Sequence, residues 1–262
     1  MNPTLITIIA LSIIFLSNTI GASFVFFIRK QLSSKISNAV LGFTSGIMIC
    51  AGIFGLLIPS IEEAHVYYSN LPFLPVLGGF LLGGLVLFLL DKIIPHFHQS
   101  GANEEGPKSS KLSKQFKFLL AVTIHNIPEG LSVGFACGIA LTLKTDAAMI
   151  SALSLAIGMS IQNLPEGAAV SIPLHDEGLS KGKSFLLGTL SGAVEPIFGL
   201  LGLLLATSLS SLMPWLLAFG AGAMIYVTID ELLPSARKDG FEHYGLWAFM
   251  IGFSIMMLLE II

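Results

Sequence analysis

The sequence HNIPEG at residues 125–130 returns as QNLPEG at residues 162–167, within a chain of 262 residues. Four of the six positions are identical, and both copies lie inside long apolar blocks in which the motif's glutamate is the one charged residue. Chance similarity between two apolar segments does not readily produce a shared Asn-x-Pro-Glu-Gly. The two copies therefore indicate an internal duplication of a segment that carries a carboxylate.

The blocks around these motifs are typical of a membrane protein. Apolar residues make up 54% of the chain and charged residues 11%, and the mean hydropathy is +0.86, whereas soluble domains carry about 25% charged residues. Because the blocks are continuous and do not alternate, they predict helices and not barrel strands. We predict an all-α membrane protein with eight transmembrane helices, at residues 4–28, 37–61, 73–93, 116–141, 147–174, 184–209, 212–234 and 244–262. The first block lacks the basic start of a signal peptide, so it is counted as a span.

The positive charges predict the orientation of these spans. Twelve of the thirteen Lys and Arg residues fall in connections on one side, and only Lys144 falls on the other. The positive-inside rule places the twelve in the cytoplasm and both termini outside. We therefore expect a multi-pass membrane protein, formed by a single transmembrane domain over residues 1–262.

Other parts of the chain exclude some functions. The net charge of −3 offers no basic face for nucleic acid. Cys50 and Cys137 both lie in apolar blocks and predict no disulfide framework. The polar stretch at about 94–115 has no apolar periodicity and predicts a flexible cytoplasmic loop. Its His96 and His98 could bind a metal, although two histidines in such a loop are more often incidental.

A second, weaker repeat relates the ends of the chain. Ser45-Gly-Ile-Met48, followed by Pro59-Ser60, resembles Ala221-Gly-Ala-Met224, followed by Pro234-Ser235. We predict that spans 1–3 are related to spans 6–8, and span 4 to span 5. Each pair runs in opposite directions through the membrane, as in inverted-repeat transporters with a binding site near the midplane.

Three carboxylates, those of Glu129, Glu166 and Glu195, are predicted deep in the membrane. At 1.5 Å per residue, His125 lies ~13 Å, Gln162 ~18 Å and Glu195 ~16 Å from the cytoplasmic ends of their spans, so all three fall within one layer of the membrane. A charge at that depth costs at least ~2.5–3.5 kcal/mol and marks a functional site. His125 and Glu129 share a helix face. Imidazole, amide and carboxylate groups without thiolate suit Zn²⁺, Fe²⁺ or Mn²⁺.

Other interpretations of the same residues remain open. Hydrogen bonds could satisfy a single buried His or Glu in a helix bundle, but a duplicated motif with a third glutamate makes that explanation weaker. An intramembrane zinc-dependent hydrolase could use the same ligands, but no H-E-x-x-H motif occurs. A symporter of organic solutes could use the carboxylates as proton sites.

The two motifs, together with Ser191-Gly-Ala-Val-Glu195-Pro, resemble the ZIP (Zrt/Irt-like) metal transporters, in particular their bacterial GufA-like branch. The resemblance covers essentially the whole chain. It implies eight helices in a bacterial plasma (inner) membrane with both termini outside, and frequent homodimers. It also implies no enzymatic activity and uptake of Zn²⁺ or another divalent metal (Fe²⁺, Mn²⁺, Cd²⁺) into the cytosol.

The resemblance also implies a binuclear metal site. One metal maps onto His125, Glu129, Gln162 and Glu166, and the other onto Asn126, Asn163, Glu129, Glu166 and Glu195. Some relatives carry Asp at the position of Asn163, and relatives can offer a His where this chain has Asp230-Glu231. The loss of a charge at Asn163 bears on the strength of the second subsite.

Further polar residues mark a path for the ion. Glu62, Glu63 and His65 lie at the outer end of span 2, where an arriving cation would meet them. Met48 could line the approach, although a single Met is more often a packing residue. Asp91, Asp230 and Glu231 lie at inner helix ends, as exit residues or as ordinary solvated charges.

Overall fold

The computed structural model describes residues 2–27, 33–93, 96–97, 104–105, 114–176, 178–237 and 242–261. Eight helices in this part are long and apolar enough to cross a membrane, which confirms the predicted number of spans. They are α1 (Pro3–Phe26), α2 (Ser34–Tyr67), α3 (Phe73–Ile93), α4 (Lys114–Leu143), α5 (Asp146–Asp176), α6 (Lys181–Ser208), α7 (Met213–Ser235) and α8 (Glu242–Ile261).

The two ends of the helix bundle differ in charge. One end, which we call the basic end, carries Lys35, Lys92, Lys181, Lys183 and Arg237. We call the other the opposite end. α2 extends to Tyr67 at the opposite end, six residues past the predicted boundary. The prediction fell short because hydropathy marks where the apolar segment ends, whereas the helical hydrogen bonds continue into its polar tip.

Two helices contain π-helical segments at matching places. In α2 this segment is Ala51–Leu57, followed by Pro59, and in α7 it is Thr228–Leu232, followed by Pro234. Proline cannot donate to the carbonyl four residues earlier, which accounts for a local change of winding. Both segments belong to the weaker of the two sequence repeats.

The helices pack most extensively in two groups of four. α1, α4, α5 and α6 form one group, and α2, α3, α7 and α8 form the other. Glycines allow backbones to touch within the groups: a Cβ on Gly134 of α4 would lie 2.1 Å from the carbonyl oxygen of Gly199 of α6. Such small-residue contacts are typical of membrane helices. The repeated motifs lie on α4 and α5, where the first group meets the second.

The stretch at about 94–115 contains a short β-pair. β1 (His96–Phe97) runs antiparallel to β2 (Glu104–Glu105), with His96 opposite Glu105. α4 already begins at Lys114. The other loop residues, His98 among them, lie outside the described residues. The metal-binding role of both histidines therefore stays a prediction.

Candidate metal centre

Three helices supply the polar side chains of the centre. α4 carries His125, Asn126 and Glu129, and α5 carries Gln162, Asn163 and Glu166. α6 is interrupted at Ala193, so that Glu195 lies in the first turn of its second half. A helix N-terminus carries partial positive charge, which favours a carboxylate there.

The centre is nearly closed to its surroundings. Glu129 is 2% exposed, Glu195 is 0% exposed, and His125 is 8% exposed. The side chains of Asn126, Gln162 and Asn163 are fully buried, and Glu166 is partly buried. Glu129 and Glu195 each lie close enough to Glu166 for their negative charges to repel. The three carboxylates therefore bring together unfavourable charge that a cation would relieve.

The two asparagines hold Glu195 between them, an arrangement we call the amide clamp. Asn126 Nδ2 donates to Glu195 Oε1 at 3.4 Å, and Asn163 Nδ2 donates to Glu195 Oε2. The same nitrogens also donate to the carbonyl oxygens of Ser191 and Ile14. An ionised Asp at position 163 could not donate in this way. Asn163 thus supports a charged Glu195 in the absence of metal.

Four buried oxygens in the centre have no hydrogen-bond partner within the described structure. They are Asn126 Oδ1, Asn163 Oδ1, Gln162 Oε1 and Glu129 Oε2. Buried polar atoms are rarely left unpaired, and each such atom calls for an explanation. Amide and carboxylate oxygens are ligands for hard and borderline divalent ions, so these atoms fit the predicted chemistry.

His125 joins this centre to the other helix group. Its Nε2 lies 2.8 Å from Oε2 of Glu231, a residue of the π-helical segment of α7. Glu231 is 2% exposed, so the interpretation of this residue as a solvated charge at a helix end is wrong. The adjacent Asp230 is exposed. For Asp91 only the backbone, in the last turns of α3, is described.

A small cavity of about 20 Å³ opens beside these groups. It is lined by His125, Glu129 and Glu166, together with Thr44 and Met48 of α2 and Val227 of α7. This volume holds about one water-sized particle. Met48 is fully buried, and its sulfur accepts a hydrogen bond from Thr228 at 3.6 Å. Met48 therefore packs in the core and also borders the cavity.

The polar side chains of the centre pair with one another. Among the described residues, no group of three or more His, Cys, Asp and Glu is placed to hold a metal as it stands. His125 is paired with Glu231, and Glu195 is held in the amide clamp. Binding of a cation would have to exchange these partners for metal.

The residues predicted to meet an arriving cation lie away from this cavity. Glu62 and His65 are exposed, and Glu63 is partly buried, in the polar tip of α2 at the opposite end.

Sequence reasoning missed two features: the partly buried Glu260 near the end of α8, and the closeness of Glu231 to His125. The signal for Glu260 was available, since it is the sole charged residue between Glu242 and the end of the chain.

The glycines of the two motifs permit close helix contacts. A Cβ on Gly130 would lie 2.3 Å from the carbonyl oxygen of Glu195, and one on Gly167 would lie 2.1 Å from the carbonyl oxygen of Asn18.

We expect Gly130→Ala to destabilise the protein by ~1–3 kcal/mol, because backbone atoms must move apart. Thermal unfolding in detergent measures this loss. Gly182→Ala is the control, because a Cβ there meets nothing within 4 Å. Equal melting temperatures for both variants would contradict the prediction.

Comparison with known proteins shows which proteins this chain is similar to. The profile of the family described as ZIP Zinc transporter matches residues 108–260. The chain is 34% identical to the zinc transporter GufA of Myxococcus xanthus, over 89% of each protein. It is 31% identical to the zinc transporter ZIP11 of Homo sapiens over 92% of each, and 31% identical to the zinc transporter ZIPB of Bordetella bronchiseptica over 88% of this chain and 73% of ZIPB.

Proposed function

The chain belongs to the ZIP zinc transporter family, and we propose that it carries Zn²⁺ through a bacterial plasma membrane into the cytosol. The observation that carries the proposal is the group of buried, unpartnered oxygens beside His125 and three mutually repelling glutamates. These atoms lie in helices that are long and apolar enough to span a membrane. A divalent cation would supply the missing partner and neutralise the charge. The same ligand types also suit Fe²⁺ and Mn²⁺, and we include these ions and Cd²⁺ as alternative cargo.

We assign two adjacent ion positions to the centre. His125, Gln162, Glu129 and Glu166 form the first, in keeping with the cavity that borders three of them. Asn126, Asn163 and Glu195 form the second, with Glu129 and Glu166 shared between both. The closeness of the three carboxylates supports this sharing, because two divalent ions would balance the repulsion among them.

We further propose that the basic end faces the cytosol and that both termini lie outside, as the positive-inside rule indicates. The matching π-helical segments of α2 and α7 support an inverted repeat. We also propose a homodimer. α3 and α8 support it because they bury few of their apolar side chains within one copy of the chain, which leaves them free to contact lipid or a second copy.

Uptake of zinc into proteoliposomes tests the function directly. Purified protein in vesicles that contain a zinc-sensitive dye should raise the dye signal after addition of external Zn²⁺, and vesicles without protein should not. A flat signal in both would contradict transport. The named relatives are transporters and not enzymes, so the comparisons give the hydrolase alternative no support.

The amide clamp predicts the effect of Glu195→Gln. The variant removes the sole anion that belongs to the second position alone, so we expect zinc affinity there to fall at least ~10-fold while the first position stays strong. Titration of metal-free protein by calorimetry should change from two strong sites to one. Asp146→Asn removes a charge from an exposed residue of α5 and should keep both sites. Loss of all binding, or no change, would count against the assignment.

A further inference from the structure

A groove of about 490 Å³ runs along the outside of the bundle at the basic end. It lies where α2 and α8, of one helix group, meet α5 of the other. Two polar side chains line it, Lys35 of α2 and Tyr244 of α8. The rest of the lining is apolar and includes Val40 of α2 and Pro165 of α5. The volume is within the range of about 300–1,000 Å³ that is usual for ligand sites.

The groove has a shape that suits part of a lipid acyl chain. Lys35 and Phe43 are eight residues apart on α2, and Tyr244 and Ile251 are seven apart on α8, so the groove extends ~10–12 Å inward from the basic end. Ile36 is 50% exposed and Ile251 is 53% exposed, which leaves apolar area for contact. Because lipid tails are as apolar as these side chains, shape and van der Waals fit decide how well a chain binds there.

The mouth of the groove is positively charged. Lys35 is exposed, and its Nζ lies 4.2 Å from the centroid of the Tyr244 ring, a cation–π contact that holds the ammonium beside the groove. In the sequence, Arg29 and Lys30 precede α2, and no Asp or Glu occurs before Glu62. Basic clusters beside a membrane span, and basic pockets between membrane helices, attract the headgroups of anionic lipids.

We propose that this groove binds one anionic phospholipid, with its phosphate at Lys35 and one acyl chain along α2 and α8 toward Pro165. The ammonium can form charge-assisted hydrogen bonds with a phosphate oxygen. Tyr and Trp are enriched at the level of the headgroups, and Tyr244 and Trp247 are 47% and 67% exposed near the start of α8. The site requires that the helices lie in a membrane, and it is independent of the cargo.

The bound chain would lie one side chain away from the metal cavity. Val40 borders both the groove and the cavity. On α5, Pro165 lines the groove, while the next residue, Glu166, lines the cavity. The lipid would therefore occupy the junction of the two helix groups at the depth of the candidate centre.

Lipid retention measured by native mass spectrometry tests the site. Purified protein in detergent is titrated with phosphatidylglycerol or, separately, with phosphatidylcholine that carries the same acyl chains. The unaltered protein should bind one phosphatidylglycerol about fivefold more tightly than phosphatidylcholine, because a single lysine near the surface contributes about that factor to anionic lipid binding. Lys35→Gln should abolish this preference, and Lys35→Arg should keep it.

Two further variants separate the groove from general surface charge. Lys183→Gln removes an exposed lysine of α6 at the same end, outside the groove, and should keep the preference. Ala248→Phe keeps Lys35 but fills the groove, which Ala248 lines, and should lose the most tightly bound molecule of either lipid.

Three results would overturn the proposal. One is an unchanged preference in Lys35→Gln, and another is an equal loss in Lys35→Gln and Lys183→Gln. The third is unchanged lipid retention in Ala248→Phe together with loss of dimers in detergent, which would mean that a second copy of the chain covers the groove. None of these measurements depends on zinc uptake, so failure of the proposed function would leave the test intact.

Discussion

Replacement of Glu129 by alanine should abolish zinc uptake, with a loss of at least ~100-fold. Changes in groups that only orient a metal ligand already cost 10- to 100-fold, and Glu129 is assigned to both ion positions. The side chain is 2% exposed and one of its oxygens has no partner. Its removal strips each position of an anion. Glu166→Ala should have the same effect for the same reason.

The same variant should fold well, which separates loss of binding from loss of structure. Glu129 repels Glu166 and Glu195, so metal-free Glu129→Ala should melt at the same temperature as the unaltered protein or higher. Zn²⁺ at 100 times its Kd should stabilise the unaltered protein by about 2.7 kcal/mol, and the variant should gain nothing. Thermal unfolding with and without zinc gives both values. Uptake at the normal rate in purified Glu129→Ala would refute the two-ion assignment.

Zinc affinity should fall steeply as pH drops from 8 to 5. Metal binds neutral imidazole and ionised carboxylates, so protons compete for the same atoms. The ordinary pKa values are about 6.5 for His and 4.3 for Glu. Below the pKa of a ligand, each displaced proton weakens apparent affinity by about tenfold per pH unit. Binding is therefore complete at high pH and is lost as pH falls.

The contact between His125 and Glu231 adds to this acid sensitivity. Protonated His125 can form an ion pair with Glu231, whose oxygen lies 2.8 Å away, and that pair competes with metal. His125→Gln should bind zinc more weakly at pH 8 and lose less affinity on acidification than the unaltered protein, because the variant has lost the imidazole that protons compete for. Calorimetric titration at several pH values measures both. A flat profile for the unaltered protein would mean that these residues are not the ligands.

Sequence predicted the number of helices better than it predicted their ends and their internal winding. The eight spans followed from apolar length alone, and the two motifs followed from their repetition in the chain. The extension of α2 to Tyr67 did not, because a helix can continue past its apolar segment. The two π-helical segments could have been suspected from Pro59 and Pro234, although proline alone does not specify how a helix adjusts.

The partners of the predicted ligands were not available from sequence. Glu231 was identified as a residue near an inner helix end, yet its proximity to His125 joins residues 106 positions apart in the chain. Asn163 looked like a weakened ligand when only its charge was considered. The structure instead shows it donating to Glu195, a role that depends on α5 and α6 lying side by side.

The order of residues was enough to predict the membrane class, the number of helices and the side chains of the candidate centre, because apolar length, repetition and buried charge can be read along the chain. Which polar atoms meet became visible only in the folded helix bundle. It placed Glu195 between two amides, His125 beside Glu231, and Glu260 against Gly55. Contacts of this kind depend on how helices distant in the chain rotate and pack against one another, and in membranes that packing is set by small residues and van der Waals fit across the whole bundle.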